Sequence, residues 1–117
     1  MIKRKKLTTK QIRLAIDNAE FGPEVTNSKK KVAVIMTQSW CPQWTMMQDW
    51  LTDYGPDDGL DLYELVYDKD ELFPEFLELK EKVWKNSQIP YLRYYRDGRF
   101  IGQSNYVSRE NFEAHFG

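Results

Sequence analysis

Residues 32–36, Val-Ala-Val-Ile-Met, form an uninterrupted apolar run rich in β-branched side chains. A run that short, without polar alternation, predicts a strand buried on both faces, hence a central strand of its sheet. The chain is therefore expected to be α/β, with helices over both sides of the sheet. The residues that follow narrow the reading further. A polar turn, Thr37 to Trp40, leads into Cys41-Pro42, and a helix is predicted from Pro42 to Tyr54. Pro42 suits a first helical turn because it has no N–H to lose there. The strand thus delivers the only cysteine of the chain to a helix N-terminus. Unpaired N–H groups and the helix dipole favour thiolate over thiol at such a place, which makes Cys41 the candidate nucleophile.

At 117 residues with 41% apolar content, the chain is long enough for one domain with its own core. The expectation is a single domain over 1–117, with 1–7 as a basic tail. A net charge of −1 gives no argument for nucleic acid. Charge is unevenly spread, basic in the first quarter and acidic from Asp53 to Glu81. This is read as a solvated dipolar surface rather than a steering patch. One cysteine allows no internal disulfide and no zinc cluster. Asp57, Asp58 and Asp61 lack the spacing of a calcium loop, so no metal and no cofactor is expected. MIKRKK is followed by polar residues, and nothing approaches the ~18 apolar residues of a membrane span. A cytoplasmic location, away from membranes, is the expectation.

The other elements follow from pattern. Thr8 to Glu20 reads as a helix, with Thr8 and Gln11 at capping-box spacing and Ile12, Ala15, Ile16 and Ala19 on one face. Phe21 to Lys31 reads as a loop broken by Gly22-Pro23. In the helix after Cys41, Met46, Met47, Trp50 and Leu51 are expected to be buried. Leu60 to Tyr67 alternates as a strand, and Glu71 to Trp84 reads as a helix whose inner face carries Phe73, Phe76, Leu77, Lys80 and Trp84. Tyr91 to Arg96 and Arg99 to Gln103 form a hairpin about Asp97-Gly98. Ser108 caps a last helix with Phe112, His115 and Phe116 inside. The order is α-β-α-β-α-β-β-α. That gives a mixed four-stranded sheet with helices on both faces, its first two strands parallel and its last two antiparallel.

This order, with Trp40-Cys41 at a strand–turn–helix, Ile89-Pro90 just before a strand, the Asp97-Gly98 turn after it and Asp68 closing the second strand, resembles the thioredoxin fold. The resemblance runs from about Thr8 to Phe116. It implies thiol–disulfide chemistry at Cys41 and a cis-proline at Pro90 that presents backbone to an extended partner. The departures are specific. Where dithiol members carry a second cysteine, this chain has Trp44, in the motif Cys41-Pro42-Gln43-Trp44. Where thioredoxins bury an aspartate that serves that second thiol, it has Ile35. Where the family commonly has a glycine before the last helix, it has Asn105-Tyr106. Cys-Pro also resembles the glutaredoxin motif start, but residues 101–111 lack the Gly-Gly-Asp element that holds glutathione there.

Two functions are compatible with these residues. One is monothiol thiol–disulfide exchange, with Cys41 catalytic and with Trp40, Pro42, Gln43, Trp44, Ile89, Pro90 and Tyr91 forming the surface that meets the partner. That partner would be a protein thiol or disulfide, and an external thiol would complete the cycle. Oxidation would then yield at most a Cys41–Cys41 dimer. The other is a non-catalytic module that holds a peptide segment in the same groove, anchored by Trp40, Trp44 and Tyr91. Lone His115, on a helix face with Phe112 and Phe116, is read as a packing or surface residue.

Overall fold

The structure is a computed structural model and describes residues 2–117. In chain order the elements are β1 (Arg4–Lys6), α1 (Thr9–Asn18), α2 (Pro23–Thr26), β2 (Lys31–Thr37), α3 (Pro42–Leu51) and β3 (Leu60–Val66). A 3-10 turn (Tyr67–Lys69) leads to α4 (Phe73–Glu78), which continues as a π-helical turn (Leu79–Val83). β4 (Tyr91–Arg96), β5 (Arg99–Ser104) and α5 (Arg109–Ala114) complete the chain. The sheet order is β1-β3-β2-β4-β5. β2 pairs parallel with β3 and antiparallel with β4, so the apolar run lies at the centre.

Burial on both faces of β2 is visible residue by residue. Val32, Val34 and Met36 join one apolar cluster with Ile12, Val25, Phe76, Leu79 and Tyr91. Ala33 and Ile35 join a second cluster with Met47, Leu51, Leu92, Phe112 and Phe116. α1, α2 and α4 therefore cover one face, and α3 and α5 the other. Local signals hold where they rest on backbone chemistry. Thr8 accepts from the Gln11 N–H and the Gln11 side chain answers the Thr8 N–H, closing the capping box on α1. Ser108 caps α5 through the Asn111 N–H. Asp97 and Gly98 both have positive φ, 52° and 79°, as a tight two-residue hairpin requires.

The sheet has five strands, not four. Arg4–Lys6, expected within a basic tail, pairs parallel with β3 as an edge strand. Nothing apolar announces it. Its hold is backbone pairing plus ion pairs from Arg4 to Glu64 and from Lys5 to Asp61. Gly22-Pro23, expected as a breaker within a loop, opens α2 with Pro23 in its first turn. The helix expected over 71–84 starts at Phe73 and widens at Leu79. There the Trp84 N–H bonds the Leu79 carbonyl, five residues back. Met46, expected in the buried stripe of α3, is 53% exposed; Met47 and Leu51 fill that stripe. Part of the acidic segment meets the basic one. Asp57 pairs with Lys31, and Asp61 with Lys5 and Lys29. No helix among the described residues is long and apolar enough to cross a membrane.

Candidate functional site

The C-terminal end of β2 delivers residues 37–41 to the edge of the sheet, and a carboxylate sets the turn. Asp68, at the end of β3, accepts from the Ser39 N–H at 2.8 Å and from the Ser39 hydroxyl at 2.6 Å. Burial works against its charged form, but the two Ser39 bonds outweigh it and hold Asp68 below the usual carboxylate range. The Cys41 N–H closes the turn on the Gln38 carbonyl at 3.2 Å. Cys41 is then the N-cap of α3, and its own carbonyl accepts the first helical bond, from the Thr45 N–H.

The thiol does not cap the helix. It points to the neighbouring loop, 3.6 Å from the Ile89 carbonyl oxygen, where the S–H is the donor. The Ile89–Pro90 peptide is cis, as is Gly55–Pro56. Cys41 is only 3% exposed, whereas Trp40 beside it is 66% exposed. The Trp40 indole N–H donates to Gln38 Oε1 at 2.6 Å, and Gln38 Nε2 donates to the Tyr67 hydroxyl at 3.2 Å. A chain of hydrogen bonds therefore links the exposed ring to a buried phenol. Burial raises the Tyr67 hydroxyl above the usual tyrosine range against the pull of Gln38, and the negative charges of Glu81 and Asp68 add to the rise.

Pro42 and Gln43 are exposed and Trp44 is half-buried. Trp44 packs on the cluster beneath α3, with the Arg4 guanidinium 5.7 Å from its ring centre. Arg4 is held there by Glu64, which stands opposite Ile35 in the β2–β3 register. The structure thus brings Cys41, Trp40, Ile89 and Pro90 together and leaves Pro42 and Gln43 at the same surface. Tyr91, expected at the rim, lies elsewhere: it is fully buried, and its hydroxyl donates to Gln103 and accepts from Arg93. β4 is covered on both faces, so Tyr91, like Pro90 before it and Leu92 after it, is buried.

Three side chains that sequence reasoning did not place in the site hold its second loop. Lys80 is completely buried in the π-helical turn, with Nζ 2.8 Å from the Asn86 carbonyl. Burial pushes Lys80 down to about 8, against the pull of Glu81. Asn86 and Asn105 exchange side-chain hydrogen bonds at 3.1 and 3.0 Å. Asn105 Nδ2 also reaches the carbonyls of Pro90, at 3.0 Å, and Gln88, at 3.4 Å. Among the described residues the Ile89 N–H has no partner. Loop asparagines read as turn formers, so no local signal shows that residues 86 and 105 meet.

An α/β sheet in this order, with its cysteine capping the helix after the central strand and facing a cis X-Pro bond, defines a protein of the thioredoxin fold. Solved structures agree over nearly the whole chain. A thioredoxin point variant from Halobacterium salinarum NRC-1 is similar with a TM-score of 0.66 and 12% identity, over 96% of this chain and 86% of that one. A putative oxidoreductase with a thioredoxin fold gives 0.64 and 15%, over 97% and 94%. Mitochondrial thioredoxin 3 from Saccharomyces cerevisiae, in its oxidised form, gives 0.61 and 20%, over 94% and 90%. At the level of sequence no family model matches the chain, and no curated protein is similar enough to align with it.

Proposed function

We propose that this chain is a thioredoxin-like thiol–disulfide exchange protein that works through Cys41 alone. The observation that carries the reading is placement: Cys41 stands at the N-cap position of α3, and its thiol lies 3.6 Å from the Ile89 carbonyl, at the cis bond to Pro90. The Cys41 thiolate attacks one sulfur of a partner disulfide. The partner's S–S bond breaks, its other sulfur leaves as thiolate and takes up a proton, and Cys41 remains in a mixed disulfide. An external small thiol then attacks that bond, forms a disulfide with the partner's sulfur and releases Cys41. The external thiol is essential because Trp44 occupies the place of a resolving cysteine. A cytoplasmic setting, rich in such thiols, fits this cycle.

Trp40, Pro42 and Gln43 form the accessible rim, and the Ile89 N–H offers a backbone donor to an extended partner segment. The test is reduction of a protein mixed disulfide by dithiothreitol, with this protein in catalytic amount. The wild type should accelerate it and C41S should not; no acceleration by the wild type overturns the proposal. A second reading, a binding module without turnover, is favoured by one contrast: the thiol is 3% exposed and the neighbouring Trp40 66%. On that reading C41S keeps its partner and W40A loses it.

A further inference from the structure

All three backbone carbonyls leading into β4 are already engaged. Ile89 O receives the Cys41 thiol at 3.6 Å, while Gln88 O and Pro90 O both receive Asn105 Nδ2, at 3.4 and 3.0 Å. The Gln88 N–H is tied as well, to Asn86 Oδ1 at 3.0 Å. Asn86 is in turn bonded to Asn105 through both amide groups and held from inside by Lys80. One side chain from the β5–α5 connection therefore fastens the carbonyls on either side of Ile89. Between these two fastened carbonyls, the Ile89 carbonyl faces the thiol. Among the described residues the buried thiol has no other hydrogen-bond partner.

We propose that Asn105 is a positioning residue that keeps Cys41 closed: by fastening residues 88–90 it holds the Ile89 carbonyl on the thiol, and a partner segment that donates an N–H to that carbonyl releases the thiol for attack. This deepens the exchange reading and rests on it for the identity of the partner, an extended peptide bearing a disulfide. The closed contact itself does not depend on that reading. It makes a specific demand. A small reagent that cannot pair with Ile89 must wait for the loop to open, whereas an extended peptide opens it on arrival.

The experiment measures the rate of Cys41 alkylation by iodoacetamide in the wild type, N105A and N105D. N105D keeps the shape of the side chain but cannot donate to either carbonyl. Both variants should react at least about fivefold faster than the wild type, since each loses both carbonyl bonds from Asn105 Nδ2 together with its bond to Asn86 Oδ1. V25A serves as a control, since Val25 is buried in α2 beside the start of β2, at the opposite end of that strand from Cys41. Chosen to lose comparable stability, it should alkylate like the wild type. Folded N105A and N105D reacting within about twofold of the wild type, or V25A accelerating as much as they do, overturns the clamp. Mixed-disulfide reduction is measured on the same samples. If the asparagine variants open and no variant exchanges disulfides, the clamp stands and the exchange function falls. If the wild type exchanges and the variants alkylate no faster, the clamp falls alone.

Discussion

Cys41 has its setting from four neighbours of different chemistry: a carbonyl, a carboxylate-held turn, an exposed indole and a buried lysine behind the loop. The carboxylate and the lysine each give a prediction. Asp68 is held below the usual carboxylate range, so its grip on Ser39 is complete above the unfolded value of about 3.9 and lost as pH falls beneath it. The Ser39 amide resonance should therefore keep its shift across neutral and mildly acid pH and move only in strong acid; in D68N it should be displaced at every pH. Lys80 titrates in the opposite sense to a stabilising ion pair. Folded it sits at about 8, and unfolded near 10.4. Below pH 8 both states are protonated and the burial cost is borne in full. From pH 8 to 10 the unfolded chain binds more protons, and stability rises. The shift corresponds to about 3 kcal/mol, from which the Asn86 hydrogen bond returns about 1. K80M should thus be more stable than the wild type by about 2 kcal/mol at pH 7 in urea unfolding, with the margin shrinking toward pH 10. A margin that stays constant over that range would show that Lys80 is not the group responsible.

The same logic applies between elements. Glu20, just past the end of α1, bonds Arg93 on β4 at 2.7 Å and also accepts from Tyr95. Arg93 lies between the rings of Trp84 and Phe100, 4.3 and 4.1 Å from their centres, and also donates to the Tyr91 and Tyr95 hydroxyls. Removing Glu20 leaves a buried guanidinium short of its counter-charge. E20A should cost about 2 kcal/mol, below the 3–5 of a fully buried pair because Glu20 is partly solvated; a loss under about 0.5 would mean solvent replaces it. α3 carries a sharper prediction. Its N-cap and third helical residue lie on one face, about 5–6 Å apart, within reach of a disulfide. Oxidised W44C should therefore lose two hydrogens by mass without dimerising, and an unchanged monomer mass would refute the motif alignment. Elements with a strong periodic or capping signal were legible from sequence: the central strand, the capping box at Thr8, the Asp97-Gly98 turn and the helix after Cys41. β1 was not, because Arg-Lys-Lys has no apolar signature and its strand exists only through backbone pairing and the carboxylates of β3. The π-helical turn was not either: the pattern put Lys80 on the inner face of a regular helix, and nothing in it marks the widening at Leu79. Cys41, Trp40 and Ile89-Pro90 could be named from sequence, whereas Asn86 and Asn105 could not: their meeting depends on how two loops close over β4.

The assembled chain places two apolar clusters on either side of one twisted sheet and gathers its thiol, exposed tryptophan and cis-proline loop at one end. Basic residues of the first quarter pair with the acidic segment at the β1–β3 side of the sheet, Arg4 with Glu64, Lys5 and Lys29 with Asp61, and Lys31 with Asp57. Burial of the thiol also changes what oxidation can do. A Cys41–Cys41 dimer requires two closed loops to open together, so under diamide it should form far more slowly than mixed disulfides with an extended peptide.

The most direct measurement follows from that contrast: the rate of Cys41 with an extended peptide disulfide, set against its rate with iodoacetamide, each divided by the rate for free cysteine at the same pH. The account predicts a ratio well above one, with exchange faster than free cysteine, alkylation slower, and both abolished in C41S. If exchange lags free cysteine as much as alkylation does, Cys41 is only a buried thiol and the exchange function is wrong.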